Sequence, residues 1–168
     1  MGKGITYRPI GVIRSPHTDA RATPIQPVYA EGVEGRAEIL PEFADGLADL
    51  QGFSHLILLY HFHRTGPMKL TVTPFLEDAD RGVFATRAPC RPNPIGLSVV
   101  RLLRREGTVL HLADVDILDG TPLLDVKPYV ERFDRREGTR QGWQSQVDER
   151  TAQSRGRREA GGPGPLAP

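Results

Sequence analysis

Residues 95–118 read IGLSVVRLLRREGTVLHLADVDIL, a pattern that indicates the class of fold. Two runs rich in strand-forming residues, 95–105 and 108–118, flank the pair Glu106–Gly107. Strand formers on both sides of a short turn that contains glycine predict an antiparallel β-hairpin.

The rest of the chain repeats this pattern of short apolar runs and turn residues. Eighteen glycines and 15 prolines divide it into short pieces. Further strands are predicted at 5–14, 37–40, 53–62, 83–86 and 123–130, with a second tight turn at Asp119–Gly120. One short helix is predicted at 41–50, because Pro41 suits a first helical turn. The pattern predicts a mainly β fold, a closed antiparallel β-barrel with one short helix and long loops.

Composition limits the possible classes of protein. The formal net charge is only +1, so no global field marks a nucleic-acid binder. Cys90 is the single cysteine, which excludes an intrachain disulfide and a cysteine-based zinc site and fits a reducing cytoplasm. The longest strongly apolar run, 56–60, is too short to span a membrane, and no signal peptide follows Met1. We therefore expect a cytoplasmic protein without a membrane partner.

The composition changes near residue 130. Residues 1–130 are predicted to form the barrel domain, and 131–149 a partly ordered extension. Trp143 is expected to anchor this extension onto the body or onto a partner subunit. The Gly-, Pro- and Arg-rich residues 150–168 are expected to be a disordered tail.

The loop RAPCRPNPIGLS at 87–98 is the most distinctive local feature. Three prolines fix φ near −65° and remove three amide donors, so the loop is rigid and non-helical. It presents Arg87, Arg91 and Asn93, and it is either a recognition surface or a structural crossover at the end of the barrel.

Two other groups of polar residues are candidates for chemistry. His61 and His63 share a strand face, as in His-x-His metal sites, but no carboxylate follows them, and we expect no metal. Asp125 lies in an apolar strand with Lys127 on the same face, as either a structural ion pair or an active-site pair. Signatures of a P-loop, a dinucleotide fold or a hydrolase elbow are absent from the sequence.

Six motifs occur in an order that resembles a known family. They are IGVIRSP (10–16), FSHL (53–56) with FH (62–63), GVFATR (82–87), RPNPIG (91–96), DGTP (119–122) and DVKPY (125–129). Together they resemble the TsaA-like family, also called YaeB or TrmO. The resemblance implies a homodimeric β-barrel methyltransferase that uses S-adenosyl-L-methionine. Its implied activity is N6-methylation of N6-threonylcarbamoyladenosine beside the tRNA anticodon.

The resemblance also implies site residues. The cofactor contacts that it implies are Gln26, Pro27, Val28, His63, Arg64, Arg87, Leu97, Val115, Asp116, Ile117 and Leu118. Beyond these contacts, we expect Arg91, Asn93 and Lys127 to meet the tRNA substrate, with stabilisation of the loop as the alternative for Arg91 and Asn93. Asp125, Tyr129 and His63 are our candidates for the catalytic base.

Three differences from the longer family members leave an alternative function open. Residues 24–28 read PIQPV where longer members read PRQPG, residues 73–80 are acidic, and the longer members' C-terminal domain is missing. A module that binds S-adenosylmethionine or RNA without turnover is the alternative.

Overall fold

Six antiparallel strands close into a barrel in the computed structural model, which describes residues 4–158. The described residues form eight strands in all: β1 (Gly11–Arg14), β2 (Gly35–Ile39), β3 (His55–His61), β4 (Thr71–Val72), β5 (Arg81–Gly82), β6 (Ile95–Glu106), β7 (Val109–Ala113) and β8 (Thr121–Pro128). The barrel order is β1-β2-β7-β6-β3-β8, while β4 and β5 form a separate two-stranded sheet. The predicted closed antiparallel barrel is confirmed.

The β6–β7 hairpin forms where the sequence predicts it. Glu106 pairs with Val109, so Gly107 and Thr108 make the turn, and Gly107 has a φ of +58° that favours glycine. The second strand is shorter than predicted, because Asp114 adopts a φ of +65° and ends the extended backbone. The Asp114 carboxylate accepts a hydrogen bond from the Gly32 amide and pairs with Arg101.

The barrel interior is filled by alternate residues of the strands. In β3 the inward positions are Leu56, Leu58 and Tyr60, and in β6 they include Ser98 and Val100. Their partners from the other strands and from the segment after β7 are Ile13, Ala37, Ile39, Leu110, Leu112, Val115, Ile117 and Leu123. Each large aliphatic side chain buried here contributes about 1.5–3 kcal/mol to the free energy of unfolding.

Several helical segments differ from the prediction. The expected helix at 41–50 is two 3₁₀ segments, Pro41–Leu47 and Leu50–Gly52. A 3₁₀ turn at Val83–Ala85 replaces the strand predicted at 83–86, because the Thr86 amide and hydroxyl both donate to the Val83 carbonyl and close a turn. The first strand begins only at Gly11.

The segment after the barrel is more ordered than predicted. A short helix α1 (Glu131–Asp134) is followed by a 3₁₀ segment and by α2 (Glu149–Arg157). Prediction of a disordered tail from residue 150 is therefore wrong up to Arg158. The Asp148 carboxylate caps α2 by accepting from the Thr151 amide at 2.9 Å, and Arg155 pairs with Asp78. The remaining predicted tail, 159–168, lies outside the described residues.

Trp143 is anchored on the body of its own chain, which is one of the two predicted alternatives. Its indole Nε1 donates to the Ala85 carbonyl at 2.8 Å. The division into a domain ending at 130 and an extension stays a prediction. Within residues 4–158, no helix has both the length and the apolar character needed to cross a bilayer.

Candidate functional site

A cavity of about 880 Å³ lies where one end of the barrel meets the loops. Its walls come from the loop at 23–29, the end of β3, the segment 73–76, the proline loop, the start of β6 and residues 116–118. The C-terminal segment adds Trp143, Gln144 and Arg158. A cavity of this size is typical of sites for small molecules and cofactors.

The proline loop is held in place by its own arginines. Arg91 Nη1 donates to the carbonyls of Thr86 at 3.1 Å and Ala88 at 3.4 Å. Arg87 Nη1 donates to Gln26 Oε1 at 2.6 Å, which ties the proline loop to the 23–29 loop across the cavity. The proline loop thus forms part of the cavity wall and is hydrogen-bonded to the 23–29 loop.

Apolar side chains provide flat surfaces in the cavity. Leu97 on β6 is 44% exposed and Val28 is 67% exposed, although both line the cavity. Ile95 and Val99 continue the same face of β6, because residues two apart in a strand share a face. Exposed apolar groups gathered in a concave site are suited to a ring system such as a nucleobase.

A chain of three buried hydroxyl and carboxyl groups lies beneath the cavity, and its two ends, Tyr60 and Asp116, line the cavity wall. Tyr60 OH lies 3.0 Å from Ser98 Oγ, and Ser98 Oγ donates to Asp116 Oδ1 at 2.6 Å. The single Ser98 proton is used on Asp116, so Tyr60 is the donor to Ser98. Asp116 is 7% exposed, and burial raises its pKa to about 7. Its carboxyl group therefore exchanges a proton near neutral pH.

Gly96 permits the position of Tyr60. The two residues pair across β3 and β6, and the Tyr60 ring lies over the Gly96 backbone where a Cβ would overlap it. The RPNPIG motif thus ends on a glycine because an aromatic ring occupies the side-chain space.

His63 lies on the cavity wall with a defined tautomer. Thr121 Oγ1 donates to the Leu118 carbonyl at 2.6 Å and lies 3.3 Å from His63 Nδ1. Because the Thr121 proton is already used, Nδ1 carries the imidazole proton and Nε2 keeps a lone pair. Burial, helped by Arg64 and His61, lowers the His63 pKa from its ordinary value, so the neutral ring that accepts a proton is favoured.

Known proteins show which family this architecture belongs to. The family model described as the tRNA-methyltransferase O N-terminal domain matches residues 12–135. The chain belongs to this family.

Relatives in the family include binding proteins and a tRNA-modifying enzyme. A protein of Pyrococcus abyssi named a probable S-adenosyl-L-methionine-binding protein is 58% identical over 139 residues, covering 83% of this chain and 76% of that protein. The tRNA (adenine(37)-N6)-methyltransferase of Escherichia coli is 40% identical over 134 residues, covering 74% of this chain and 57% of the enzyme.

A solved structure has the same fold. The crystal structure of TrmO from Pseudomonas aeruginosa matches with a TM-score of 0.71 and 41% identity, covering 84% of this chain and 63% of that one. The chain thus spans less than two thirds of the length of both the Escherichia coli enzyme and this structure.

The structure brings most of the predicted cofactor residues into the cavity. All of them except Val115 line it, namely Gln26, Pro27, Val28, His63, Arg64, Arg87, Leu97, Asp116, Ile117 and Leu118. Val115 is fully buried in the barrel core, and its amide and carbonyl are used by Val33 and His17. Val115 does not line the cavity.

The predicted substrate and catalytic residues are divided between two places. Arg91 and Asn93 line the cavity, whereas Asp125, Lys127 and Tyr129 do not. Asp125 pairs with Leu59 on the outer face of the sheet and forms a 2.8 Å ion pair with Lys127.

Tyr129 lies still farther along the sheet. Its amide donates to the His55 carbonyl, roughly 20 Å along β3 from the cavity end at about 3.3 Å per residue. Catalytic or substrate roles of the three residues outside the cavity stay predictions.

The His-x-His pair is not part of a larger cluster. Residues 4–158 contain no group of three or more His, Cys, Asp or Glu side chains that could hold a metal ion. His61 is exposed at the end of β3, while His63 lies beyond the strand on the cavity wall.

Sequence reasoning missed the residues that complete the site. Tyr60 and Ser98 were not predicted, although a serine at an inward strand position two residues from Val100 signals a buried polar contact. Trp143 and Arg158 were assigned to an extension and a tail, because their contacts are to residues more than 50 positions away.

Proposed function

We propose that this chain is an S-adenosyl-L-methionine-dependent tRNA methyltransferase. Its proposed reaction is methylation of N6 in N6-threonylcarbamoyladenosine. The observation that carries the proposal is the single cavity lined by the residues from Gln26 to Leu118 that the family resemblance implies as cofactor contacts. The Escherichia coli relative named for adenine-N6 methylation of tRNA supports the reaction and its substrate class.

The residues of the cavity fit S-adenosylmethionine. Leu97 and Leu118 offer apolar surface for the adenine, and buried Asp116 offers an acceptor for hydroxyl or ammonium groups. Arg87, held by Gln26, offers a planar donor for a carboxylate. When bound, this cofactor would supply a sulfonium methyl group: an aligned nucleophile forms a bond to the methyl carbon as the C–S bond breaks, and S-adenosylhomocysteine leaves with the electron pair.

The chain supplies two groups that can take the proton of the acceptor nitrogen. The N6 nitrogen of N6-threonylcarbamoyladenosine is a poor nucleophile until its proton is removed. His63 offers the lone pair on Nε2, and Asp116 offers a carboxyl group whose pKa of about 7 is matched to neutral pH. Asp125 and Tyr129 remain candidates from the sequence, at positions outside this cavity.

Charge at the cavity suits an RNA substrate. Four arginines line it, namely Arg64, Arg87, Arg91 and Arg158, while Asp116 is the one acidic side chain on its wall among the described residues. Arginines contact phosphates without reading sequence, so they position the RNA. Arg91, Asn93 and Lys127 are the proposed substrate contacts.

A transfer assay tests the function. The protein is incubated with tRNA and with S-adenosylmethionine labelled in its methyl group, and the nucleosides are then separated and identified by mass spectrometry. We expect label in N6-threonylcarbamoyladenosine, and no label when the tRNA comes from cells that do not make this nucleoside. Label in another nucleoside would contradict the proposed acceptor.

We also propose that the protein acts as a cytoplasmic homodimer. The family resemblance supports this assembly, and apolar side chains remain exposed outside the cavity, including Phe84 at 74% and Leu70 at 62%. Light scattering coupled to size-exclusion chromatography is expected to give twice the 18.6 kDa chain mass. The mass of a single chain at micromolar concentration would contradict the dimer.

A second candidate function is binding of S-adenosylmethionine without transfer. It is favoured by the position of Asp125 and Tyr129 outside the cavity and by the name of the Pyrococcus abyssi relative. The same assay separates the two functions, because a binding module retains the cofactor but transfers no label.

A further inference from the structure

The C-terminal strap, which we define as residues 142–158, closes one side of the cavity. It lies beyond the residues 12–135 that match the family model. It nevertheless places Trp143, Gln144 and Arg158 on the cavity wall.

The strap begins at the turn that precedes the proline loop. Trp143 Nε1 donates to the Ala85 carbonyl at 2.8 Å, and the Arg81 guanidinium lies 6.0 Å from the centre of the Trp143 ring. Ala85 is two residues before Arg87, so this contact fixes the strap next to a proposed cofactor residue.

The strap then contacts the other two loops of the cavity through α2. The Gly156 carbonyl accepts from the Ile25 amide at 3.0 Å, and a Cβ on Gly156 would lie 2.5 Å from Cδ2 of Tyr29. Arg155 pairs with Asp78 at 2.9 Å. One segment thus connects the 23–29 loop, the 73–78 segment and the turn before the proline loop.

Arg158 ends the strap with a cation on the cavity wall. Its guanidinium carbon lies 4.1 Å from the centre of the Phe75 ring, and Nη1 donates to the Ala20 carbonyl. Both of these partners also line the cavity. No carboxylate of the described residues lies within 4.0 Å of the guanidinium, unlike that of Arg155.

The surroundings of Arg158 favour binding of an anion by its guanidinium group. The group is half-buried, and burial lowers its pKa from the ordinary value against the opposing effect of the Asp19 charge, so the cation has lost part of its hydration. It stays protonated because arginine is not deprotonated in proteins, and its remaining N–H groups suit the two oxygens of a carboxylate. Arg87, the other candidate, already donates to Gln26.

We propose that the C-terminal strap is part of the ligand site and that Arg158 binds a carboxylate of the ligand held in the cavity. The identity of the ligand rests on the proposed function. Two carboxylates are available in that reaction, one on the methionine part of S-adenosylmethionine and one on the threonyl group of the modified adenosine.

Paired binding measurements test the role of Arg158. The variants are Arg158→Ala and the matched control Arg157→Ala, since Arg157 is exposed and has no ion pair among the described residues. The probes are S-adenosylmethionine and 5′-methylthioadenosine, which keeps the nucleoside but has no carboxylate. Calorimetry gives the Kd, and fluorescence of Trp143, the single tryptophan, gives a second readout.

We expect Arg158→Ala to weaken binding of S-adenosylmethionine about tenfold or more, since a charge-assisted hydrogen bond is lost. Binding of 5′-methylthioadenosine should be unchanged. Arg157→Ala should change neither Kd. If Arg158 binds the carboxylate of the acceptor instead, Arg158→Ala should weaken binding of the N6-threonylcarbamoyladenosine nucleoside and leave binding of adenosine unchanged. An Arg158→Ala protein that binds every carboxylate probe as the wild type does would overturn the inference.

These outcomes are separable from failure of the proposed function. A wild-type protein that binds neither S-adenosylmethionine nor 5′-methylthioadenosine contradicts the proposed function and this inference together. Wild-type binding that Arg158→Ala leaves intact contradicts the inference alone.

The strap itself is tested by limited trypsin cleavage, because it contains Arg150, Arg155, Arg157 and Arg158. Saturating S-adenosylmethionine should slow cleavage in 150–158 several-fold. Gly156→Ala, which adds a Cβ against Tyr29, should speed cleavage and weaken binding of both probes. Ser154→Ala, on the exposed side of α2, should change neither the cleavage rate nor the binding. Equal cleavage rates with and without ligand would count against the strap as part of the site.

Discussion

Asp116 shows how one side chain links the barrel core to the chemistry of the cavity. It is buried, it accepts from Ser98, and it faces the cavity between Val115 and Ile117. Burial raises its pKa to about 7 from an unfolded value near 3.8. The folded state therefore binds the proton more tightly than the unfolded state does, and this contribution to stability is present at low pH and is lost as pH rises toward 7.

Replacing Asp116 should remove that pH dependence. In Asp116→Asn, the free energy of unfolding should fall less between pH 4 and 7 than in the wild type, by up to about 1.4 kcal/mol per pH unit. Urea unfolding followed by circular dichroism at several pH values measures the slopes. Asp45→Asn, at an exposed position, should keep the wild-type slope. Parallel slopes for the wild type and Asp116→Asn would contradict a raised pKa.

The residue scale is also where sequence reasoning was least complete. The resemblance identified Asp116, but its partners Ser98 and Tyr60 depend on which face of β3 and β6 is inward. That face is set by strand register, which depends on pairing with distant strands and not on local sequence.

At the scale of elements, β3 and β6 pack most closely around Gly96. Gly96→Ala would force a Cβ into the Tyr60 ring and displace the hydroxyl that reaches Ser98. Overpacking of this kind costs about 1–3 kcal/mol in the free energy of unfolding.

Chemical denaturation compares this variant with Gly82→Ala in β5, where a Cβ meets nothing within 4 Å. The control should lose little stability. A Gly96→Ala protein as stable as the control would mean that the Tyr60 ring does not need the glycine.

The β6–β7 hairpin was predicted well from its local signals, and the C-terminal segment held by distant contacts was not. The β6–β7 hairpin has its turn residues between its two strands, so residues 95–118 contain the whole signal. The segment that contains Trp143 and α2 is held by Ala85 and Asp78, which lie about 60 or more positions away in sequence. The composition of 150–158 therefore predicted disorder for a segment that packs on the barrel loops.

For the whole molecule, the barrel supports loops that are held to one another across a cavity. The Arg87–Gln26 bond and the C-terminal strap connect segments from both halves of the chain. Because all of these segments line the cavity, a ligand that binds there should stabilise the native state as a unit.

The stabilisation is measurable by thermal unfolding. S-adenosylmethionine at 100 times its Kd should add about 2.7 kcal/mol to the free energy of unfolding, which raises Tm by several degrees. Methionine at the same concentration is the control and should give no comparable shift. An unchanged Tm with S-adenosylmethionine would show that the folded state does not bind it.

Two leucines on β6 test whether this cavity is the cofactor site. Leu97 is 44% exposed and lines the cavity, whereas Leu103 is 42% exposed and does not. Calorimetric titration of S-adenosylmethionine into Leu97→Asp should show binding weakened at least tenfold, since a charge then meets the apolar part of the ligand. Leu103→Asp should bind as the wild type does. Equal binding by both variants would contradict the assignment of the cavity.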